Sequence, residues 1–193
     1  IVTRPYSQSV LAGCTGAALT TLAVAVLLGA ILGHNFQLEY VANYTSRAMS
    51  FIYLLASLWA GNDGSLLFWA WLLAIVSLVV ILRRQDDNRA LIPQAALVLM
   101  VVEAFFLILL IATSNPFVTL DVIPPDGRGL NPLLQDPALA FHPPFLYLGY
   151  VGFSIAFAFA IAALLEGRVD PAWARWVRPW TLAAWCFLTA GIG

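Results

Sequence analysis

The sequence contains no lysine and few charged residues of any kind. Of its 193 residues only 10% are charged, whereas 62% are hydrophobic. Soluble globular chains carry about 25% charged residues, so this composition excludes an ordinary soluble domain and indicates a chain whose surroundings are lipid. The formal net charge of -1 gives no indication of a nucleic-acid partner, and we expect none.

Cysteine is scarce as well. Cys14 and Cys186 each lie inside an apolar run, with no second cysteine nearby in sequence. The sequence therefore supports neither a disulfide nor a CxxC metal or redox motif, and we interpret both residues as packing residues. Phosphate-binding loops and the HExxH and GxSxG motifs are also missing, so hydrolase and nucleotide-binding functions have no residue support.

Long apolar runs are abundant, and a membrane-spanning helix needs roughly 20 such residues. Apart from Glu103, no ionised side chain interrupts the four stretches that qualify, which are 10–33, 65–82, 90–113 and 143–165. A fifth apolar run, 180–193, is cut short by the last residue, and the chain begins without Met. We predict a single all-α membrane domain, a polytopic helical bundle, and expect it to be a fragment of a larger protein.

Arginine predicts the orientation of this bundle, because cytoplasmic loops of membrane proteins are enriched in basic residues. Two short loops carry clusters of arginine, the first with Arg83, Arg84 and Arg89 and the second with Arg168, Arg175 and Arg178. We place both loops, and Arg4, on the cytoplasmic side. Alternation of the spans then makes 34–64 and 114–142 extracytoplasmic loops, in which Arg47 and Arg128 are isolated exceptions.

The two extracytoplasmic loops differ in character. In the first, residues 49–60 are apolar and aromatic but too few to cross a membrane, so we predict a short interfacial helix. The second is rich in proline, which favours a rigid, extended chain over a helix. Its apolar side chains argue against disorder and predict that it packs on the membrane surface or on a neighbouring domain.

Three polar residues are candidates for chemistry. His142 stands in the segment FHPP at a span boundary, where two prolines suit the first turn of a helix. A neutral imidazole there can bind heme iron, or merely hydrogen-bond water and head groups. His34 also lies at the outer end of a span, but no motif supports a ligand role for it. Glu103 lies within a span, where an acid is either functional or protonated and bonded to a neighbouring helix.

Five segments carry a distinctive pattern, namely 113–117 (TSNPF), 127–137 (GRGLNPLLQDP), 141–144 (FHPP), 147–153 (YLGYVGF) and 178–185 (RPWTLAAW). Together with 39–44 and 63–67, they closely resemble the CcmF family, the heme lyase subunits of cytochrome c maturation systems. The similarity covers nearly the whole chain. The paralogue that serves nitrite reductase maturation shares much of the pattern, so both members remain open.

The resemblance implies a multi-pass protein of the bacterial inner membrane that takes heme from a CcmE-like chaperone. It would assist covalent attachment of heme to apocytochrome c, together with CcmH/CcmI-like subunits. In that family the histidine of FHPP is an extracytoplasmic axial ligand to heme iron, a role that carries onto His142.

Other family elements would follow Gly193: a tryptophan-rich motif, a second extracytoplasmic histidine and the histidines of a b-type heme. We therefore expect the b-type heme in the complete protein, and neither heme binding nor heme lyase activity in this fragment alone.

Two other classes of function are compatible with the residues. Glu103 in mid-membrane and the interrupted apolar stretch 49–60 are typical of an ion- or solute-translocating subunit. An assembly scaffold that binds partners but no heme is the other alternative.

Overall fold

The computed structural model of the chain describes residues 3–83, 90–167, 169 and 171–193. Within these ranges the elements are helical, which confirms the all-α prediction. The helices are α1 (Thr3–Leu32), α2 (Glu39–Tyr44), α3 (Phe51–Ala56), α4 (Asn62–Leu82), α5 (Ile92–Ala112), α6 (Pro137–Glu166) and α7 (Pro171–Ile192). Arg84, Arg89 and Arg168, which contribute to the predicted orientation, lie outside the described residues.

Four helices are long and apolar enough to cross a membrane, namely α1, α4, α5 and α6. This number agrees with the four complete spans that the sequence predicts. The fifth apolar run belongs to α7, which begins at Pro171 rather than at Trp180 and carries Arg175 and Arg178 in its first half. The exposed residues of α5 follow a helical spacing, as expected for a face turned toward lipid, and they are Leu97, Val101, Phe105, Ile108 and Ile111.

Helix α4 lies at the centre of the bundle and packs against α1, α5 and α6. Its partner α1 runs antiparallel to it, because Trp71 Nε1 donates to Thr21 Oγ1 at 2.9 Å whereas Ile81 lies beside Gly13. Trp69 stacks on Phe106 of α5, with 5.2 Å between the ring centroids. We call the end of the bundle that bears His34 and His142 the histidine end, and the opposite end, with Arg83, the arginine end.

The first loop at the histidine end contains short helices where the sequence predicts one. Helix α3 and a following 3-10 turn, Ser57–Trp59, occupy most of the stretch 49–60. Helix α2 precedes them and was not predicted.

The second loop is shorter than the predicted range 114–142, because α6 begins at Pro137. Pro143 and Pro144 therefore lie inside a helix and not in its first turn, so that prediction was wrong. Asp136 explains the early start, since its carboxylate accepts a hydrogen bond of 2.8 Å from the amide of Ala138 and so caps the helix.

Helices α6 and α7 form the closest helix pair, and glycine makes the approach possible. A Cβ atom added to Gly152 would lie 2.6 Å from the Cβ of Ala184, and one on Gly149 would lie 2.8 Å from the Cβ of Leu188. Neither position has room for a methyl group. Small residues at such contacts let helix backbones meet closely in a membrane, where van der Waals packing replaces the hydrophobic effect.

We expect Gly152→Ala to destabilise the bundle, because the added methyl group overlaps Ala184 and forces α6 and α7 apart. Overpacking of this kind costs roughly 1–3 kcal/mol, which should lower the midpoint of thermal unfolding in detergent. Gly29→Ala is the matched control, since nothing lies within 4 Å of a Cβ atom added there. Equal midpoints for the two variants would contradict the tight α6–α7 contact.

Candidate functional site at the histidine end

The two loops at the histidine end are joined by backbone hydrogen bonds. The amide of Glu39 donates to the carbonyl of Val118 at 2.9 Å, and the amide of Leu120 donates to the carbonyl of Gln37 at 2.8 Å. Farther along, the amides of Arg128 and Gly129 donate to carbonyls of α2 and its C-cap, Ala42 and Thr45. The proline-rich loop thus wraps around α2, and the first loop is the neighbour on which it packs.

Gly127 is the point of closest approach in this wrapping. A Cβ atom there would lie 2.0 Å from the carbonyl oxygen of Thr45, so only glycine lets the loop backbone pass over the end of α2. Thr45 is fully buried beneath it. The family-like segment GRGLNP therefore begins with a residue that the fold requires for steric reasons.

Asp126 anchors the loop just before this contact. Its carboxylate accepts hydrogen bonds from the amide of Arg47 at 3.0 Å and from the amide of Gly127 at 2.8 Å. These bonds, above all that from Arg47, lower the pKa of Asp126, and the nearby charge of Arg47 adds to the effect. The guanidinium of Arg47 in turn lies over the ring of Phe36, 5.3 Å from its centroid.

His34 ends α1 in a left-handed backbone conformation, with φ of 50°. The amide of Asn35 donates to the carbonyl of Ala30 at 2.9 Å and that of His34 to Ile31 at 3.1 Å, which is a Schellman arrangement with histidine where glycine is usual. The ring lies 5.9 Å from that of Phe36, and its Nδ1 is buried without a hydrogen-bond partner in the described part of the chain. His34 therefore packs against the first loop, beside Phe36.

His142 is exposed and lies on a helix, in the second turn of α6. It shares a helical stripe with Phe145, Leu146 and Gly149, because these residues follow at the i+3, i+4 and i+7 positions. That stripe faces α7, as Phe145 contacts Phe187 at 6.0 Å and Leu146 lies against Gly191. His142 therefore lies on the face of α6 that is turned toward α7, one turn from these contacts.

The two histidines belong to different parts of the bundle. His34 ends a helix that packs against α4 and α5, whereas His142 lies on the side of α6 that faces α7. The described residues also contain no group of three or more His, Cys, Asp or Glu side chains arranged to hold a metal ion. Among the described residues, an iron bound at His142 would therefore have one histidine ligand.

Trp59 supports the turn that carries His142, a role that could not be predicted from the sequence. Pro144 has no N–H to pair with the carbonyl of Ala140, and that carbonyl instead accepts a hydrogen bond of 3.1 Å from Trp59 Nε1. The prolines of FHPP are tolerated inside α6 partly because an indole replaces the missing donor. In the sequence the two partners are only an aromatic residue of the first loop and a proline at the start of the predicted span 143–165.

An apolar cavity of about 260 Å³ lies beside the same turn. Its wall is formed by α3 and its flanking residues, the proline-rich loop and α6, with Trp59, Leu130, Leu134, Ala140, Pro143 and Tyr147 among the lining side chains. His142 projects to another face of α6. The cavity and the imidazole therefore do not form one pocket, although Pro143 of the cavity wall is the neighbour of His142 in the chain.

Glu103 lies away from both histidines, in the interior of α5 between the two ends of the bundle. Only 8% of its surface is exposed. It does not contribute to the histidine end.

Comparisons with known proteins agree with the segments that surround this site. A family model described as Cytochrome C assembly protein matches residues 59–193. The chain is 47% identical to the cytochrome c-type biogenesis protein ccl1 of Rhodobacter capsulatus over 174 residues, which are 90% of this chain and 27% of that protein. It is 47% identical to the cytochrome c-type biogenesis protein CcmF of Escherichia coli, over 86% of this chain and 26% of that one.

Two further similarities bear on the paralogue and on the fold. The cytochrome c-type biogenesis protein NrfE of Haemophilus influenzae is 36% identical, over 90% of this chain and 27% of its own length. The solved structure of a cytochrome c heme lyase CcmF superposes with a TM-score of 0.73 at 27% identity, over 99% of this chain and 34% of that one. The chain thus spans about a quarter of the length of these curated relatives.

We expect Trp59→Phe to lower the free energy of unfolding, because it removes the donor to Ala140 and keeps most of the ring. Loss of a hydrogen bond to a part-buried carbonyl costs about 1 kcal/mol or somewhat more. Denaturant titration in detergent would measure it, with Trp185→Phe, at an exposed position, as the control. An equal effect of both substitutions would show that the indole does not support this turn.

Asp126→Ala should loosen the proline-rich loop from α2. Because the pKa of Asp126 is lowered in the folded state, its contribution is present at neutral pH and is lost as acid protonates the carboxylate. Hydrogen–deuterium exchange at neutral pH should show faster exchange of residues 118–129 in this variant. Asp121→Ala, an exposed acid of the same loop, should leave the exchange unchanged, and protection retained in Asp126→Ala would argue against the anchor.

Proposed function

Because the chain belongs to the cytochrome c assembly protein family, we propose that it forms part of a heme lyase in a cytochrome c maturation system. In this proposal it helps hold heme at the extracytoplasmic membrane surface while heme is attached to apocytochrome c. The names of its relatives support the proposal, since they are cytochrome c-type biogenesis proteins and a cytochrome c heme lyase. The ion- or solute-translocating alternative receives no support from them.

The observation that carries the proposal is the placement of His142. It stands on α6, one turn from the contacts of Phe145 and Leu146 with α7, and its imidazole makes no hydrogen bond among the described residues. A neutral imidazole with a free ring nitrogen is a good axial ligand to heme iron. We propose that His142 binds the iron through that nitrogen.

The residues around His142 have positioning roles in this proposal. Trp59 holds the carbonyl of Ala140 and so fixes the turn, and the α6–α7 contact fixes the direction in which the stripe faces. Heme supplies the iron and the vinyl groups to which cysteine thiols add. The protein contributes orientation, because a ligand on an ordered helix holds the macrocycle in one place.

The described residues would offer heme iron one imidazole at this position and no further group of metal-binding side chains, so we propose that this fragment alone neither retains heme nor acts as a lyase. The b-type heme belongs in this view to the complete protein. Identity of 47% to CcmF of Escherichia coli, against 36% to NrfE of Haemophilus influenzae, favours the general maturation system over the nitrite reductase paralogue.

The chain contains helices suited to a multi-pass membrane protein, and we propose the bacterial inner membrane as its location. Arg83, Arg175 and Arg178 support placing the arginine end in the cytoplasm. At the other end, the proline-rich loop exposes Val122 and Ile123, which offer apolar surface to a CcmE-like chaperone or a CcmH/CcmI-like subunit. Apocytochrome c would approach on the same side.

His142→Ala in the complete protein tests the ligand role. We expect the heme held at His142 to be lost, while the b-type heme of the complete protein remains. The yield of c-type cytochrome should fall by at least the roughly 10–100-fold that follows loss of a metal ligand's own hydrogen-bond partner. Pyridine hemochrome spectra of the purified protein and heme staining of membranes would measure both.

His34→Ala is the matched control and should preserve heme content, since His34 packs in the first loop. Unchanged heme content together with undiminished cytochrome assembly in His142→Ala would reject the proposed ligand.

A further inference from the structure

The carboxyl group of Glu103 lies where α1, α4 and α5 meet. Only 8% of the residue is exposed, and its Oε1 would be 2.9 Å from a Cβ atom added to Gly16 of α1. An alanine at residue 16 would place its Cβ atom against this oxygen, so the carboxyl group would have to shift. Glycine at residue 16 leaves room for this polar group between the helices.

The oxygen that faces Gly16 is unpartnered. Glu103 Oε1 is buried and accepts no hydrogen bond within the described ranges. Thr20, one turn along α1, does not supply one, because its hydroxyl donates to the carbonyls of Gly16 at 2.8 Å and Ala17 at 3.3 Å. A buried polar oxygen without a partner calls for a specific explanation, since such groups are rare in folded proteins.

A second buried oxygen lies at the same level of the bundle. Ser77 of α4 is 3% exposed, and its Oγ has no partner in the part of the chain that the structure describes. The contacts of α1 with α4 run from Gly13 against Leu78 and Ile81 to Thr21 against Trp71. This antiparallel register brings Ser77 level with Gly16, and hence with the carboxyl group of Glu103.

The three helices provide no positive charge for a carboxylate. Beyond Arg4 in the first turn of α1, neither α1 nor α4 nor α5 contains a basic residue, and the chain has no lysine. The only other acid in these helices is Asp63, in the first turn of α4. An ionised, unpaired carboxylate is strongly disfavoured in such surroundings, and the group is neutral when it holds a proton.

From this geometry we propose that Glu103 is a proton-binding site in the middle of the membrane, formed by its carboxyl group against Gly16, with Ser77 of α4 at the same level of the bundle. The ligand is a single proton, held on the carboxyl group in the junction of α1, α4 and α5. The site is separate from His142 and from heme, so it is independent of the proposed heme lyase function.

Infrared spectroscopy of the complete protein in lipid tests this site, because a protonated carboxyl group has a C=O stretching band that a carboxylate lacks. We expect one such band to shift when the protein is labelled with ¹³C-glutamate and to disappear in Glu103→Gln. Glu39→Gln, at an exposed position of α2, should leave it in place. Spectra in which Glu103→Gln removes no protonated-acid band would overturn the proposal.

Two further variants test the same site if Glu103→Gln does not fold. Glu103→Asp should retain a protonated-acid band at a shifted frequency, and Gly16→Ala should also shift it, since its Cβ atom meets Oε1. Gly29→Ala should not. A band insensitive to Gly16→Ala would reject the assigned contact. His142→Ala protein should keep the band, which separates this test from that of the heme ligand.

Discussion

Helices α6 and α7 meet at backbone distance because Gly149 and Gly152 have no side chains, and the presentation of His142 depends on that contact. Where the glycines lie, the two helices cover each other. His142 lies on the same stripe of α6, one turn from the contacts of Phe145 and Leu146 with α7. The close approach of the two helices thus fixes the direction in which the stripe with His142 faces.

The histidine end is held together by interactions between segments far apart in sequence. Backbone pairing of the two loops, the carboxylate of Asp126 and the close passage of Gly127 over Thr45 fix the proline-rich loop on α2. Trp59 then joins the first loop to α6. The segments that resemble the heme lyase family are therefore parts of one packed unit, and they include residues with a structural task as well as a candidate ligand.

Much of the fold follows from the sequence, because bilayer thickness fixes the length of apolar run that a spanning helix needs. The length of the apolar runs alone was enough to predict the spans within α1, α4, α5 and α6. The start of α6 was mispredicted, since the tolerance of Pro143 and Pro144 inside a helix depends on an indole contributed by another loop. His142 was found through a resemblance of short motifs rather than through its surroundings. The pairing of Glu103 with Gly16 could not be predicted, because it depends on the register between helices that are not adjacent in sequence.

One turn of α6 has two different neighbours. On one side Pro143 and Ala140 border the apolar cavity behind the proline-rich loop, and on the other His142 lies on the face turned toward α7. Both faces belong to the same few peptide units, and these are braced by a single indole. A displacement of the turn by whatever enters the cavity would therefore also re-aim the imidazole, so the interior of the loop region and the direction of a metal ligand are mechanically linked.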